Sequence, residues 1–241
     1  AAFGTLAPGN SRPADAETLF LIGSVSKPFA AACVLSLVED PGIDISLDDP
    51  VDRWLPAFGH AKLVSGKAAE RAPTVKELLC HRGGIYSQKR EMTRRQTSLI
   101  RDFRRDLETA VDGIAAEPLI AEPGERYFYS GAGYCVLGRI AEIAARKPFE
   151  RLLQARLCEP LGLERTTYFP GRENENIAAG FGPPAYPHAL GKAHQFPLIG
   201  GSLYSTAEEM ATFARAILAS RDGEDEAALL KPASFRAMAS P

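Results

Sequence analysis

The sequence has no apolar run approaching the roughly 18 residues that a membrane-crossing helix needs, so no membrane span is expected from it. It also has little net charge: 28 Lys and Arg stand against 30 Asp and Glu, giving a formal value of −2. That balance removes the electrostatic basis for holding nucleic acid or an anionic membrane surface. Cysteine is sparse. Cys33, Cys80, Cys135 and Cys158 all lie in apolar, helix-like stretches, and none forms a C-x-x-C pair. They read as buried thiols, not as a disulfide or metal framework, which fits a reducing compartment. His60, His81, His188 and His194 show no metal-ligand spacing, so no metal site is expected and they read as structural or loop residues. Strand-like stretches are few, and no internal repeat or low-complexity tract is present. The chain begins Ala-Ala-Phe, with neither an initiator Met nor a signal-peptide pattern, and reads as processed or as a fragment. Cytoplasm and periplasm both stay open as compartments, and oligomeric state leaves no signature.

What is present is mostly helical. The 241 residues suffice to bury a core without a covalent or metal staple. From Ser24 to about Glu39, apolar residues cover every face of a helix, which places it in the middle of a core; Pro41-Gly42 ends it. Thr74-Val75-Lys76-Glu77 reads as a capping box that opens a short helix ending near His81 and Gly83-Gly84. Residues 88–114 are charged and read as helical, and residues 133–146 carry a strong 3.6-residue stripe. Pro148 suits the first residue of a helix running to about Cys158, and Thr206-Ala207-Glu208-Glu209 reads as a second capping box. Residues 169–199 are rich in Pro and Gly and read as a long irregular loop.

The chemistry begins at Ser24-Val25-Ser26-Lys27, an S-x-x-K pattern. Pro28 follows it and lacks an N–H, so a helix containing Pro28 starts within about one turn before it. Ser24 then stands at the helix N-terminus, where the dipole and free N–H groups favour negative charge on its oxygen. Lys27 lies one turn on, along the same side. An amine set among apolar groups is pushed toward the neutral form that can take a serine proton. Taken alone, the same four residues equally suit a plain helix cap followed by a surface lysine.

The order of several further motifs extends this reading. Residues 19–29, Leu-Phe-Leu-Ile-Gly-Ser-Val-Ser-Lys-Pro-Phe, resemble the nucleophile box of the class C β-lactamase, DD-peptidase and family VIII esterase superfamily. Downstream, Leu47-Asp48-Asp49-Pro50-Val51, Leu78-Leu79-Cys80-His81-Arg82-Gly83-Gly84, residues 123–130 (Pro-Gly-Glu-Arg-Tyr-Phe-Tyr-Ser) and residues 200–206 (Gly-Gly-Ser-Leu-Tyr-Ser-Thr) are similar to its later landmarks. The resemblance runs from about Phe20 to Ile217. It implies an α+β fold of the β-lactamase/transpeptidase type, with the helical region covered and most of the antiparallel sheet absent, as a single domain over residues 1–241 truncated at both ends. It further implies an acyl-enzyme serine hydrolase acting on a small ester, amide or β-lactam without a cofactor. Ser24 would be the nucleophile, Lys27 its proton-transfer partner, and Tyr129 the general base or shuttle. Gly131, Gly200, Gly201 and Ser202 would lie at the substrate. The alternatives are a DD-peptidase or penicillin-binding protein, or an inactive binding or scaffold relative.

Two departures from the family pattern stand out. Gly131 occupies the place of an Asn that helps hold a substrate amide, which tilts the expectation toward esters. The family's third box, K-T-G or H-x-G, does not occur; His81-Arg82-Gly83 has the letters but sits in another landmark. Phe3-Gly4 resembles the tail of an N-terminal strand. The basic residues between Lys89 and Arg105 read as a solvated helical face, and Tyr186, Pro187 and His188 as surface loop.

Overall fold

The computed structural model describes residues 2–86, 92–171, 174–179, 198–223 and 228–239. A short strand, β1 (Phe20–Leu21), leads through a 3-10 turn (Gly23–Val25) straight into helix α1 (Ser26–Val38). Pro28 is the third residue of α1, within the first turn, where its missing N–H would have had no helical acceptor. Phe29, Ala30, Ala32, Cys33, Val34, Leu35 and Leu37 are all buried, so α1 is the central helix that its unbroken apolar pattern implies.

Helix α2 (Val75–Leu79) opens with the expected reciprocal cap. Thr74 Oγ1 accepts from the Glu77 N–H at 3.2 Å, and the Glu77 carboxylate accepts from the Thr74 N–H at 2.9 Å. The charged stretch expected as helix over 88–114 is two helices, α3 (Arg94–Arg101) and α4 (Leu107–Ala115), with residues 87–91 outside the described set. The break follows from acceptor chemistry: Asp102 bonds Arg104 and Arg105, and Asp106 caps α4 through the Thr109 N–H at 2.6 Å.

Helix α5 (Gly131–Ala145) starts two residues before Gly133 because Ser130 is its cap, accepting from the Gly133 N–H at 3.0 Å. Pro148 stands just outside α6 (Phe149–Leu153) as its cap residue, one place earlier than expected. The helical path then passes Cys158, through a π turn (Gln154–Cys158) into α7 (Glu159–Leu161). Strand β2 (Tyr204–Ser205) precedes α8 (Ala207–Ala219), and α9 (Pro232–Ala239) comes last. The second capping box forms only by half. Thr206 accepts from the Glu209 N–H, but the Glu209 carboxylate turns away to the Arg165 N–H and the Thr166 hydroxyl. Glu209 therefore ties α8 to the segment before it instead of closing the cap.

Around α1 pack α5, α6 and the π turn, and α5 in turn meets α2, α3 and α4. Phe213 of α8 stacks on Phe29 with ring centroids 3.7 Å apart. Among the described residues the sheet is one antiparallel pair, Phe20 opposite Ser205 and Leu21 opposite Tyr204. This pair brings residues 198–205 beside the turn that carries Ser24. The Ile22 N–H donates to the Leu203 carbonyl, and the Leu203 N–H donates to Ser26 Oγ at 3.1 Å. Gly138 permits the approach from the other side, since a Cβ there would lie 2.5 Å from Ile199 Cγ1. The cysteines are free thiols, with Cys33, Cys135 and Cys158 buried. Of the irregular loop, residues 172–173 and 180–197, with Tyr186, Pro187, His188 and His194, lie outside the described residues.

Candidate active site

Ser24 is exposed at the middle of the 3-10 turn, and Lys27 is buried one turn further on, at 6% exposure. Tyr129 arrives from a different part of the chain, in the extended stretch just before α5. Its Oη donates to Ser24 Oγ at 2.5 Å. Lys27 Nζ donates to the same oxygen at 3.4 Å and lies 4.5 Å from the centroid of the Tyr129 ring. The three side chains thus converge on one oxygen, with the Tyr129 contact short enough for direct proton transfer and Lys27 at the long edge of hydrogen-bond range. A cation over the face of a phenol ring is itself an attractive arrangement, and it steadies the amine beside the hydroxyl pair.

Lys27 is held from behind. Its ammonium donates to the Gly200 carbonyl at 2.7 Å, and Tyr134 places a second ring 5.5 Å from Nζ. A Cβ on Gly200 would stand 3.1 Å from Lys27 Cε, Lys27 Cγ and Tyr134 Cβ alike, so the carbonyl reaches the amine because position 200 has no side chain. The tight turn that presents it is made by the N–H groups of Gly201 and Ser202, which both donate to the Leu198 carbonyl. The Ser202 hydroxyl, also buried, donates to that carbonyl at 3.2 Å, so Ser202 serves the turn. Gly131 is buried as the first residue of α5, where it presents no polar side-chain group. Of these four residues, Gly200 touches the cluster directly, through its carbonyl on Lys27.

The turn bearing Ser24 also bears on anionic charge. N–H groups in the first turn of a helical segment lack intrahelical acceptors, and one beside a nucleophile is suited to a developing oxyanion. Beside Lys27 opens a cleft of about 520 Å³ whose walls include Pro28, Leu35, Leu79, His81, Tyr127 and Tyr134. That size and apolar character suit a small organic molecule. Among the described residues no group of three or more His, Cys, Asp or Glu could hold a metal ion.

His81 is the neighbour that sequence reasoning assigned elsewhere. It follows α2 by two residues and adopts a left-handed conformation, φ 58°, which is uncommon outside glycine but which His, like Asn and Asp, adopts more readily than other side chains. Its ring centroid lies 4.6 Å from that of Tyr129 and 5.1 Å from that of Tyr134. Burial, with the Lys27 charge beside it, brings the His81 imidazole down to about 4, so the ring is neutral at physiological pH. Burial likewise holds the Tyr134 phenol well above its ordinary value, with Cys80 and the other two tyrosines adding to the effect, and Tyr134 donates to the Leu79 carbonyl at 3.2 Å. The signal for His81 lay in the Leu-Leu-x-His landmark, but the left-handed turn that aims it at Tyr129 is invisible in the letters.

Comparison with known proteins gives a consistent picture. A family model described as Beta-lactamase matches residues 1–240. The chain is 29% identical to Protein Rv1367c of Mycobacterium tuberculosis (strain ATCC 25618 / H37Rv), over 94% of this chain and 60% of that one. It is 34% identical to Esterase EstB of Burkholderia gladioli, over 70% of this chain and 43% of that one. Among solved structures it superposes on EstCE1, a hydrolase with promiscuous acyltransferase activity, with a TM-score of 0.78 at 25% identity, covering 96% of this chain and 66% of that one. An esterase and two penicillin-binding proteins occur among the relatives. The chain spans 60% or less of the length of the first curated relatives it matches.

Proposed function

This chain belongs to the beta-lactamase family, a family of hydrolases with a β-lactamase-like fold, and from that premise we propose that the whole protein is a serine hydrolase working through an acyl-enzyme on Ser24. The observation that carries the reading is the 2.5 Å contact between Tyr129 Oη and Ser24 Oγ, two hydroxyls separated by 105 residues in sequence. In the proposed cycle Ser24 Oγ attacks the substrate carbonyl and forms a new C–O bond. Its proton passes to the Tyr129 oxygen, which takes it as a phenolate with the Lys27 cation beside it, and then to the leaving group as the old bond breaks. Water next attacks the acyl group and gives its proton to the Tyr129 oxygen, which passes it to Ser24 Oγ as the acyl C–O bond breaks and Ser24 is regenerated. Lys27, fixed by the Gly200 carbonyl, supplies the positive charge that makes a phenol a workable proton carrier.

An ester is the favoured substrate. Position 131 is glycine, so it presents no side-chain amide to a substrate amide group. The similarity to Esterase EstB is in keeping with this choice. The test uses the whole protein with a fluorophosphonate probe and a penicillin probe, followed by peptide mapping of the adduct. Fluorophosphonate on the Ser24 peptide, ester turnover and no penicillin adduct are the expected results. A penicillin adduct on Ser24 would shift the reading to the penicillin-binding branch, and no adduct from either probe would identify an inactive relative.

A further inference from the structure

We propose that His81 is the positioning residue that sets Tyr129 against Ser24, working as a neutral imidazole whose Nδ1 stays open to accept a hydrogen bond; the idea rests on the reading of Tyr129 given above. The chain leaving α2 grips the Tyr129 segment at three places. The Arg82 carbonyl accepts from the Gly124 N–H at 2.8 Å, and the Arg82 guanidinium donates back to the Gly124 carbonyl. The His81 carbonyl accepts from the Phe128 N–H at 2.8 Å, and His81 Nδ1 accepts from the Ser130 N–H at 3.1 Å. Phe128 and Ser130 are the two chain neighbours of Tyr129. Both of their N–H groups end on one residue, whose ring also packs against the Tyr129 ring.

The clamp has a chemical condition. For Nδ1 to accept, the single proton of the neutral ring must sit on Nε2. An imidazolium has two N–H donors and no acceptor, so protonation would turn a donor toward the Ser130 N–H and break the contact on one side of Tyr129. The groups that face His81 do nothing to favour the imidazolium. Among the described residues, the ring meets Tyr127, Tyr129 and Tyr134 and feels the Lys27 charge from α1, while Lys76, Cys80 and Arg82, with Ala237 and Met238 of α9, line the same cleft. Every formal charge among them is positive. The depressed basicity of the ring agrees with this geometry.

The test joins a spectrum with kinetics in the whole protein. Nitrogen-15 histidine NMR, with the His81 signal assigned by its loss in His81→Asn, is expected to show a protonated Nε2 and a bare Nδ1 that persist from pH 7 to pH 5. His81→Ala is expected to lower kcat about 10- to 100-fold with KM nearly constant, the effect of a small misplacement of a catalytic group. His81→Asn offers an amide oxygen in place of Nδ1 on a residue that accepts a left-handed backbone, and it is expected to recover part of that loss. Its activity should also persist to lower pH than that of the natural protein, because the amide does not titrate. A proton on Nδ1, a ring titrating near its ordinary value, equal kcat in His81→Ala and the natural protein, or equal losses in folded Ala and Asn variants would overturn the proposal. Because the spectrum does not depend on turnover, it judges His81 separately from the site: turnover surviving in Ser24→Ala overturns the reading of the site itself.

Discussion

At Ser24 the sequence alone allowed two readings, a helix cap with a surface lysine or a nucleophile with its base. The structure buries Lys27 and turns its amine inward to the Gly200 carbonyl and Ser24, which a snorkelling surface lysine would not do. Under the proposed mechanism Ser24→Ala and Tyr129→Phe each remove a group that handles the reacting proton or bond. Each is expected to lower kcat at least about 100-fold while the thermal midpoint stays close to that of the natural protein. Gly200→Ala is a subtler probe. Its methyl would press on Lys27 and Tyr134, so a fall in kcat with a retained fold is expected, and steady-state kinetics beside a melting curve would show it. Tyr129 itself was within reach of the sequence only through the resemblance, because no local pattern says that residue 129 meets residue 24. Gly200, Gly201 and Ser202 were also marked as a motif, but their use in a turn around the Leu198 carbonyl emerges only from the fold.

At the scale of elements, local signals were the legible ones. The reciprocal cap at Thr74 and Glu77 needs only residues three apart, and the structure forms it as written. Thr74→Ala is expected to lower stability by about 1 kcal/mol, measured by denaturant unfolding. Because α2 leads into His81, the same change is also expected to reduce kcat. The cap at Thr206 shows where local reading stops. Glu209 had the right spacing, but the buried Thr166 hydroxyl and the Arg165 N–H made a better tertiary destination for its carboxylate. The split between α3 and α4 has a comparable cause, since Asp102 and Asp106 find side-chain and backbone partners that end one helix and begin the next. The central position of α1 was legible because a helix apolar on all sides has nowhere else to go. Phe29, stacked on Phe213, tests that placement: Phe29→Ala is expected to cost about 3 to 5 kcal/mol and to loosen α8 from α1.

For the molecule as a whole, the α+β character with few strands was anticipated, and the described residues show one two-stranded pair within a helical body. The acid side of its stability curve carries a signature of the site. His81 is neutral in the fold and falls to about 4, below the ordinary histidine value of 6.5 that applies in the unfolded chain. Between those values the unfolded chain binds a proton that the folded chain refuses, so stability rises with pH across this window. The contribution is fully present above about 6.5 and is lost as pH falls toward 4. Unfolding free energies measured across that range are expected to slope less steeply in His81→Asn than in the natural protein.

The central claim is that Ser24 Oγ becomes covalently acylated under the care of Lys27 and Tyr129. It is tested most directly by quenching the whole protein in acid during steady hydrolysis of a p-nitrophenyl ester, then weighing the intact chain and mapping its peptides. The account expects the acyl mass on the peptide containing Ser24, and its disappearance together with turnover in Ser24→Ala. Ester hydrolysis that continues in Ser24→Ala, or an acyl group found on a different residue, would contradict it.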